Sequence, residues 1–129
     1  MTKKQVFLDT SILIGGVIKR SKEAIKIFKD PEIEKYTNEL AFKELYHVLK
    51  DEFSFSELEI SYAIDYLRAK CIVLPTPSKN EFTKIELRDK SDRPFVYSAL
   101  KYDLELYIDD FKTFQDAEKY VKVKRISKD

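Results

Sequence analysis

Carboxylate side chains are the residues of this sequence whose types and positions could support chemistry. Asp9 directly follows the short apolar segment 5–8, and Asp109 and Asp110 come at the end of a second apolar segment, 104–108. The first segment is typical of a strand that is buried on both faces, and the second is also predicted to be a strand. In a parallel sheet the carboxyl ends of the strands meet along one edge, which is where the sites of such proteins lie. We therefore expect these acids to lie near one another.

Two further carboxylates lie just before or within predicted helices. Asp92 comes one or two residues before a helix, and Glu44 lies within a helix on a face that it shares with Leu40, Ala41 and Val48. A carboxylate that is buried on a mostly apolar face without a partner is strongly unfavourable, so Glu44 needs something to compensate its charge.

A pocket that several acids share favours one kind of chemistry. Two carboxylates about 4 Å apart repel each other by roughly 4 kcal/mol at an effective dielectric constant of about 20, so protons or cations must enter. The chain has one histidine, His47, and one cysteine, Cys71, which excludes Cys/His zinc sites. Oxygen-only coordination favours Mg²⁺ or Mn²⁺, and such an ion can activate water for phosphodiester hydrolysis.

Each of these acids also has a simpler structural interpretation. Asp9 could merely end a strand, and Asp92 could cap the helix that follows it, a position that aspartate favours. Asp109 and Asp110 could form an exposed turn, whereas Glu44 could pair with a lysine or an arginine. Because their predicted positions agree on one edge of a sheet, a shared site is favoured over a set of unrelated roles.

Length and composition bound the class of protein. The 129 residues predict a single domain, 1–129, and a content of 43% hydrophobic and 36% charged residues is typical of a globular protein. The only two glycines, Gly15 and Gly16, are adjacent, which excludes a Walker loop and a GxGxxG nucleotide fingerprint. The net charge of +1 neither supports nor excludes nucleic acid as a partner. No segment approaches the ~18 apolar residues of a membrane helix, so we expect a cytoplasmic protein with no membrane partner.

Hydrophobic periodicity and capping signals predict alternating strands and helices. Thr10 and Ser11 are predicted to cap the first helix and Asn38 a later one, and Ser-x-x-Glu capping boxes begin helices at Ser56 and Ser78. The predicted strands are 5–8, 34–37, 72–74, 104–108 and 121–126, and the predicted helices are 12–18, 21–29, 39–50, 56–70, 78–85 and 94–100. Strands separated by helices imply a three-layer α/β/α fold with a central, mainly parallel sheet.

Four segments of the sequence resemble, in order, the motifs of a PIN-domain ribonuclease. These segments are 6–14, 36–45, 88–96 and 107–112. The resemblance implies that the acidic residues of the family are Asp9, Glu44, Asp92 and Asp110, with Asp89 as a second candidate in the third motif. The separation of 18 residues between Asp92 and Asp110 fits the spacing common in that family.

The resemblance spans most of the chain and is closest to VapC-like toxins of toxin–antitoxin pairs. It implies a Mg²⁺- or Mn²⁺-dependent endoribonuclease with an RNA substrate, an antitoxin protein as a possible partner, and a homodimer. By the same resemblance Asp9, Glu44, Asp92 and Asp110 would hold one or two ions. An activated water would then attack the phosphate in line and leave 5′-phosphate and 3′-hydroxyl ends.

Several polar residues would assist these acids. Ser11 could hydrogen-bond the attacking water or a carboxylate, and Asp109 could share the role of Asp110. Arg93 and Lys112 are candidate contacts of the RNA. Further cations that could contact its backbone are Lys19, Arg20, Lys119, Lys122, Lys124 and Arg125.

Two departures from the family pattern favour an alternative, a catalytically decayed PIN-like module that binds RNA or protein. Ile108 and Asp109 stand where the family often has a hydroxyl before its fourth acid, and Lys112 stands where a further aspartate is common. Two other classes fit less well. A haloacid-dehalogenase phosphatase needs an aspartate at the position of Ser11, and a phospho-receiver domain carries its paired acids after the first strand.

Overall fold

Five parallel strands form one sheet in the computed structural model of the protein, which describes residues 3–18, 21–109 and 116–127. The strands are β1 Lys4–Leu8, β2 Ile33–Asn38, β3 Ile72–Leu74, β4 Glu105–Asp109 and β5 Val123–Ile126. Their order across the sheet is β3-β2-β1-β4-β5, and every neighbouring pair is parallel. All five predicted strands are therefore confirmed, and the single-domain assignment stays a prediction.

Helices connect the consecutive strands from β1 to β4. They are α1 Thr10–Val17, α2 Lys22–Lys29, α3 Glu39–Asp51, α4 Glu57–Lys70, α5 Lys79–Phe82 and α6 Arg93–Lys101, with 3₁₀ turns at Lys90–Asp92 and Ala117–Lys119. Helix α6 packs on β1, where the rings of Phe7 and Phe95 lie 6.3 Å apart. This arrangement confirms the predicted three-layer α/β/α fold. Within the described ranges, no helix is long and apolar enough to cross a membrane.

Strand β1 lies at the centre of the sheet and determines where the site can form. Val6, Phe7 and Leu8 are completely buried, as expected for a short apolar strand with other layers on both of its faces. Because β2 and β4 flank β1, the residue that leaves the carboxyl end of β1 lies between the ends of two neighbouring strands.

The helix starts follow the predicted capping signals, with one correction. Asn38 caps α3, and complete capping boxes begin α4 at Ser56 and α5 at Ser78. The prediction that Thr10 and Ser11 cap α1 is wrong, because Asp9 is the cap residue and its carboxylate accepts the backbone N–H of Ser11. An aspartate that ends a strand can begin the next helix when no loop separates the two.

The predicted helix 78–85 is shorter than expected, because α5 ends at Phe82. The hydroxyl of Thr83 donates to the carbonyl oxygen of Lys79 at 2.7 Å, and the following N–H groups bond three residues back, as in a turn. This turn places the side chain of Ile85 in the core, where it is 3% exposed. In this segment the chain buries the side chain of Ile85 in a turn and does not continue α5.

The two adjacent glycines of α1 give a prediction about stability. A Cβ atom at Gly16 would lie 2.4 Å from Cε2 of Phe28, a buried ring of α2, whereas a Cβ at Gly15 would lie 3.2 Å from the Cβ of Ala24. We expect Gly16→Ala to lower the free energy of unfolding by about 1–3 kcal/mol through overpacking. Gly15→Ala is the matched control and should stay within about 1 kcal/mol of the wild type, because better helix propensity offsets its mild crowding. Urea denaturation measures both, and equal stability of the two variants would contradict this packing.

Candidate carboxylate site

Asp9 lies at the carboxyl end of the central strand, beside the end of β4. Its backbone N–H donates to the carbonyl oxygen of Tyr107 at 3.1 Å, and the residue is completely buried. One carboxylate oxygen, Oδ2, accepts the N–H of Ser11 at 3.0 Å and the hydroxyl of Ser11 at 2.7 Å. These bonds hold the carboxylate in one orientation at the edge of the sheet.

Ser11 connects the two strand ends. Its hydroxyl oxygen donates its proton to Asp9 and accepts the backbone N–H of Asp109 at 3.0 Å, although these two partners are far apart in the sequence. A serine hydroxyl has one proton to donate, and Asp9 takes it here. Of the two roles expected for Ser11, a bond to water or a bond to a carboxylate, the structure therefore contains the bond to a carboxylate.

Asp92 is a second buried carboxylate at the same edge. It directly precedes α6, is 5% exposed, and makes no side-chain capping hydrogen bond to that helix. Helix α6 leads into the beginning of β4, so its own beginning lies toward the carboxyl edge of the sheet. Asp92 thus occupies the N-cap position of α6, as the simpler interpretation expects, but its side chain does not cap the helix, so capping by the carboxylate does not explain its burial.

Asp89, the second candidate in the third motif, has a different environment. It is exposed and caps the 3₁₀ turn Lys90–Asp92, where its Oδ1 accepts the N–H of Ser91 at 3.0 Å and the hydroxyl of Ser91 at 2.6 Å. Asp89 and Ser91 thus repeat, at the surface, the local geometry that Asp9 and Ser11 adopt in the interior. Local geometry explains Asp89 but not the burial of Asp92.

Glu44 lies on the second turn of α3, where it is half-buried. Helix α3 packs against α1, the helix that Asp9 caps, so Glu44 belongs to an element next to Asp9. His47, one turn further along, is exposed, and its ring lies edge-on against Tyr46 at a centroid distance of 5.3 Å. This environment gives His47 a packing contact at the surface rather than a place among the acids.

Several predicted residues lie outside the described part of the chain. They are Asp110, Lys112, Lys19 and Arg20. Asp109 is described and is half-buried at the last position of β4, so the structure reaches the first residue of the paired acids and not the second. The roles of these residues stay predictions.

Of the five described cations that were predicted to contact RNA, Lys119 is exposed and the other four lie against protein groups. The Nε–H of Arg93 donates to the carbonyl oxygen of Lys90 at 3.2 Å, and its guanidinium lies 5.5 Å from the centre of the Phe82 ring. In the tail, Lys122 pairs with Glu105 at 3.5 Å, Arg125 pairs with Glu118 at 3.7 Å, and Lys124 lies 5.5 Å from the centre of the Tyr107 ring. Contacts of these four cations with RNA would have to compete with contacts inside the chain.

The residues around the acids offer oxygen ligands. Across ranges 3–18, 21–109 and 116–127, no three His, Cys, Asp or Glu side chains are placed to hold a metal ion. Asp9, Asp92 and Glu44 nevertheless bring three carboxylates to neighbouring elements, and the hydroxyl of Thr10, beside Asp9, is buried without a described hydrogen-bond partner. Carboxylate and hydroxyl oxygens are ligands that fit a hard divalent cation better than a soft one.

A cavity of about 370 Å³ lies beside α1, and its lining is mainly apolar. Ser11 and Asp109 form part of its polar lining, whereas Asp9 does not line it. The hydroxyl of Ser11 therefore lies between this cavity and the buried carboxylate of Asp9.

A buried polar pair close to these acids was missed by the sequence analysis, which assigned Asn38 only a capping role. The side-chain amide of Asn38 donates to the hydroxyl of Ser98 on α6 at 3.2 Å, and both residues are buried. One signal was available in the sequence. Ser98 interrupts the apolar stripe of α6, and a buried polar side chain needs a partner.

Comparison with solved structures identifies the fold. The chain matches a chain of DNA-bound VapBC from Salmonella typhimurium with a TM-score of 0.74 and 12% identity, covering 98% of this chain and 99% of that one. It matches VapBC2 from Rickettsia felis, bound to a promoter DNA fragment, with a TM-score of 0.73 and 11% identity over 94% and 98% of the two chains. PAE2754 from Pyrobaculum aerophilum gives a TM-score of 0.63 and 18% identity over 98% and 90%.

These likenesses show that the chain has a PIN-like fold of the kind found in VapBC complexes. The resemblance drawn from the four sequence motifs is thereby confirmed at the level of the fold. The sequence itself matches no protein-family model and no curated protein.

Proposed function

We propose that this protein is a Mg²⁺- or Mn²⁺-dependent endoribonuclease that acts in the cytoplasm as the toxin of a toxin–antitoxin pair. The observation that carries the proposal is the burial of Asp9 and Asp92 at the carboxyl edge of a parallel sheet. Both acids lie at the edge where sites form in this class of fold, and carboxylates gathered at one such edge are the ligands that Mg²⁺ and Mn²⁺ prefer.

The proposed site residues have two roles, ligands of the ion and a residue that orients one ligand. Asp9, Glu44, Asp92 and Asp110 would hold the ion, and Ser11 keeps the carboxylate of Asp9 in one orientation through its hydroxyl. When bound, the ion supplies a lowered pKa for water and neutralises the charge that grows on the phosphate. Rigid placement of the acids matters because metal–ligand distances tolerate shifts of only about 0.2 Å.

The partners follow from the fold likeness and from the family resemblance. Solved structures with this fold include VapBC complexes, which supports an antitoxin protein as a partner. RNA as the substrate and a homodimer as the assembly are part of the same proposal.

A decayed PIN-like module that binds RNA or protein is the competing function, and one observation favours it. Ile108 is completely buried within β4, so the hydroxyl common before the fourth acid has no substitute at that position. Ser11 is the hydroxyl that lies against the end of β4, where it accepts the backbone N–H of Asp109 and donates its proton to Asp9.

A metal titration separates the two functions. We expect millimolar Mn²⁺ to raise the melting temperature of the wild type, because an ion that binds only the folded state at 100 times its Kd adds about 2.7 kcal/mol to stability. We also expect Mn²⁺ to support cleavage of a structured RNA, and EDTA to remove both effects. A melting temperature that does not respond to Mn²⁺, together with intact RNA, would indicate the decayed module.

A further inference from the structure

Both polar atoms of the Asn38 side-chain amide form hydrogen bonds. Its Oδ1 accepts the backbone N–H of Ala41 at 3.1 Å, which caps α3, and its Nδ2 donates to the hydroxyl oxygen of Ser98 at 3.2 Å, on α6. Asn38 is completely buried and Ser98 is 2% exposed. A buried amide with both ends bonded to different helices fixes those helices relative to each other.

Asn38 also lies next to the point where Asp9 leaves the sheet. It is the last residue of β2, which runs parallel to β1. The preceding residue, Thr37, donates its hydroxyl to the carbonyl oxygen of Leu8 at 3.1 Å, directly before Asp9. The position of Asn38 is therefore tied to the end of the central strand.

Each helix that Asn38 holds carries one of the proposed metal ligands. Glu44 lies six residues after Asn38, on α3, and Asp92 lies six residues before Ser98, at the start of α6. Six residues of a helix span about 9 Å, so a small rotation or shift at the Asn38–Ser98 contact moves the distant carboxylate. Asn38 is thus one side chain that links the elements bearing Asp9, Glu44 and Asp92.

We propose that Asn38, bonded to Ser98, is a positioning residue of the carboxylate site, fixing the elements that carry Asp9, Glu44 and Asp92 relative to one another. This inference rests on the metal-dependent function proposed above. Residues that orient metal ligands without touching the metal change metal affinity by about 10–100-fold when they are removed. The contact between Asn38 and Ser98 is therefore part of the site and not only of the core.

Two single variants and their combination test this role. Ser98→Ala removes the acceptor of the amide, and Asn38→Ser keeps a good helix cap but is too short to reach α6. Each should raise the Mn²⁺ concentration needed for half-maximal thermal stabilisation by about tenfold. The double variant should need no higher Mn²⁺ concentration than the single variant with the larger effect, because both changes remove the same bond.

A matched control separates positioning from general stability. Ser21 is similarly buried, and its hydroxyl donates to the carbonyl oxygen of Ser127 at 2.6 Å, a contact that involves neither β2, α3 nor α6. Ser21→Ala should lower the melting temperature without changing the half-maximal Mn²⁺ concentration. Ser98→Thr keeps a hydroxyl that can accept the Asn38 amide, so its half-maximal Mn²⁺ concentration should equal that of the wild type. If Ser98→Ala does not fold, the comparison of Asn38→Ser with Ser98→Thr tests the same contact.

The outcomes distinguish the positioning role from the proposed function. If the wild type responds to Mn²⁺ and the half-maximal concentration is unchanged in Ser98→Ala and Asn38→Ser, the positioning role is overturned while the metal site stands. Additive effects in the double variant would also overturn it, because the two residues would then act separately. A wild type that gives no Mn²⁺ response overturns the proposed function and this inference with it.

Discussion

Replacing Asp9 with asparagine is expected to abolish Mn²⁺-dependent RNA cleavage, by about a thousandfold or more, without unfolding the protein. Loss of one anionic ligand removes several kcal/mol of charge stabilisation, and each ~1.4 kcal/mol corresponds to tenfold in rate. The fold should persist because asparagine caps helices as well as aspartate does, and its side-chain oxygen can still accept the N–H of Ser11. Gel-based cleavage assays and thermal melts measure the two effects.

The control for this experiment is Asp65→Asn. Asp65 is exposed on α4, a helix that carries none of the proposed ligands, and its substitution also removes one negative charge. It should cleave RNA at the wild-type rate, which shows that net charge alone is not responsible. Full activity of Asp9→Asn would reject the assignment of the site to this edge of the sheet.

Asparagine substitutions at Asp92 and Asp89 should differ by about a hundredfold or more in activity. Asp92 is 5% exposed and makes no capping bond, whereas Asp89 is at the surface and caps a 3₁₀ turn. Asp92→Asn should therefore lose cleavage and Mn²⁺ stabilisation together, since it removes a proposed ligand. Asp89→Asn should change neither, because asparagine serves equally well as a cap.

This pair is informative because both aspartates lie in the same motif, three residues apart. Initial cleavage rates at saturating Mn²⁺ and the half-maximal Mn²⁺ concentration should be measured for both variants. The reverse result, with Asp89→Asn inactive and Asp92→Asn active, would contradict this assignment and identify Asp89 as the third acid of the site.

Local features of the sequence predicted most of the elements. The apolar segment before Asp9 predicted a strand buried on both faces, and the capping boxes at Ser56 and Ser78 predicted where α4 and α5 begin. These signals work because a cap or a short apolar strand depends on residues within about four positions of one another. The order of elements then implied the parallel sheet, and so an edge that Asp9 and Asp109 would share, whereas only the structure shows that they follow neighbouring strands.

Contacts between distant segments were decided only by the tertiary structure. The sequence could not show that Ser11 bridges to Asp109 across 98 positions, or that Asn38 reaches Ser98 across 60. It also could not separate Asp92 from Asp89, since the two have the same residue type and both precede α6. Burial separates them, and burial depends on how α6 packs against the sheet. The residue types thus determined what chemistry is available, and the packing of the helices on β1 decided which side chains can take part in it.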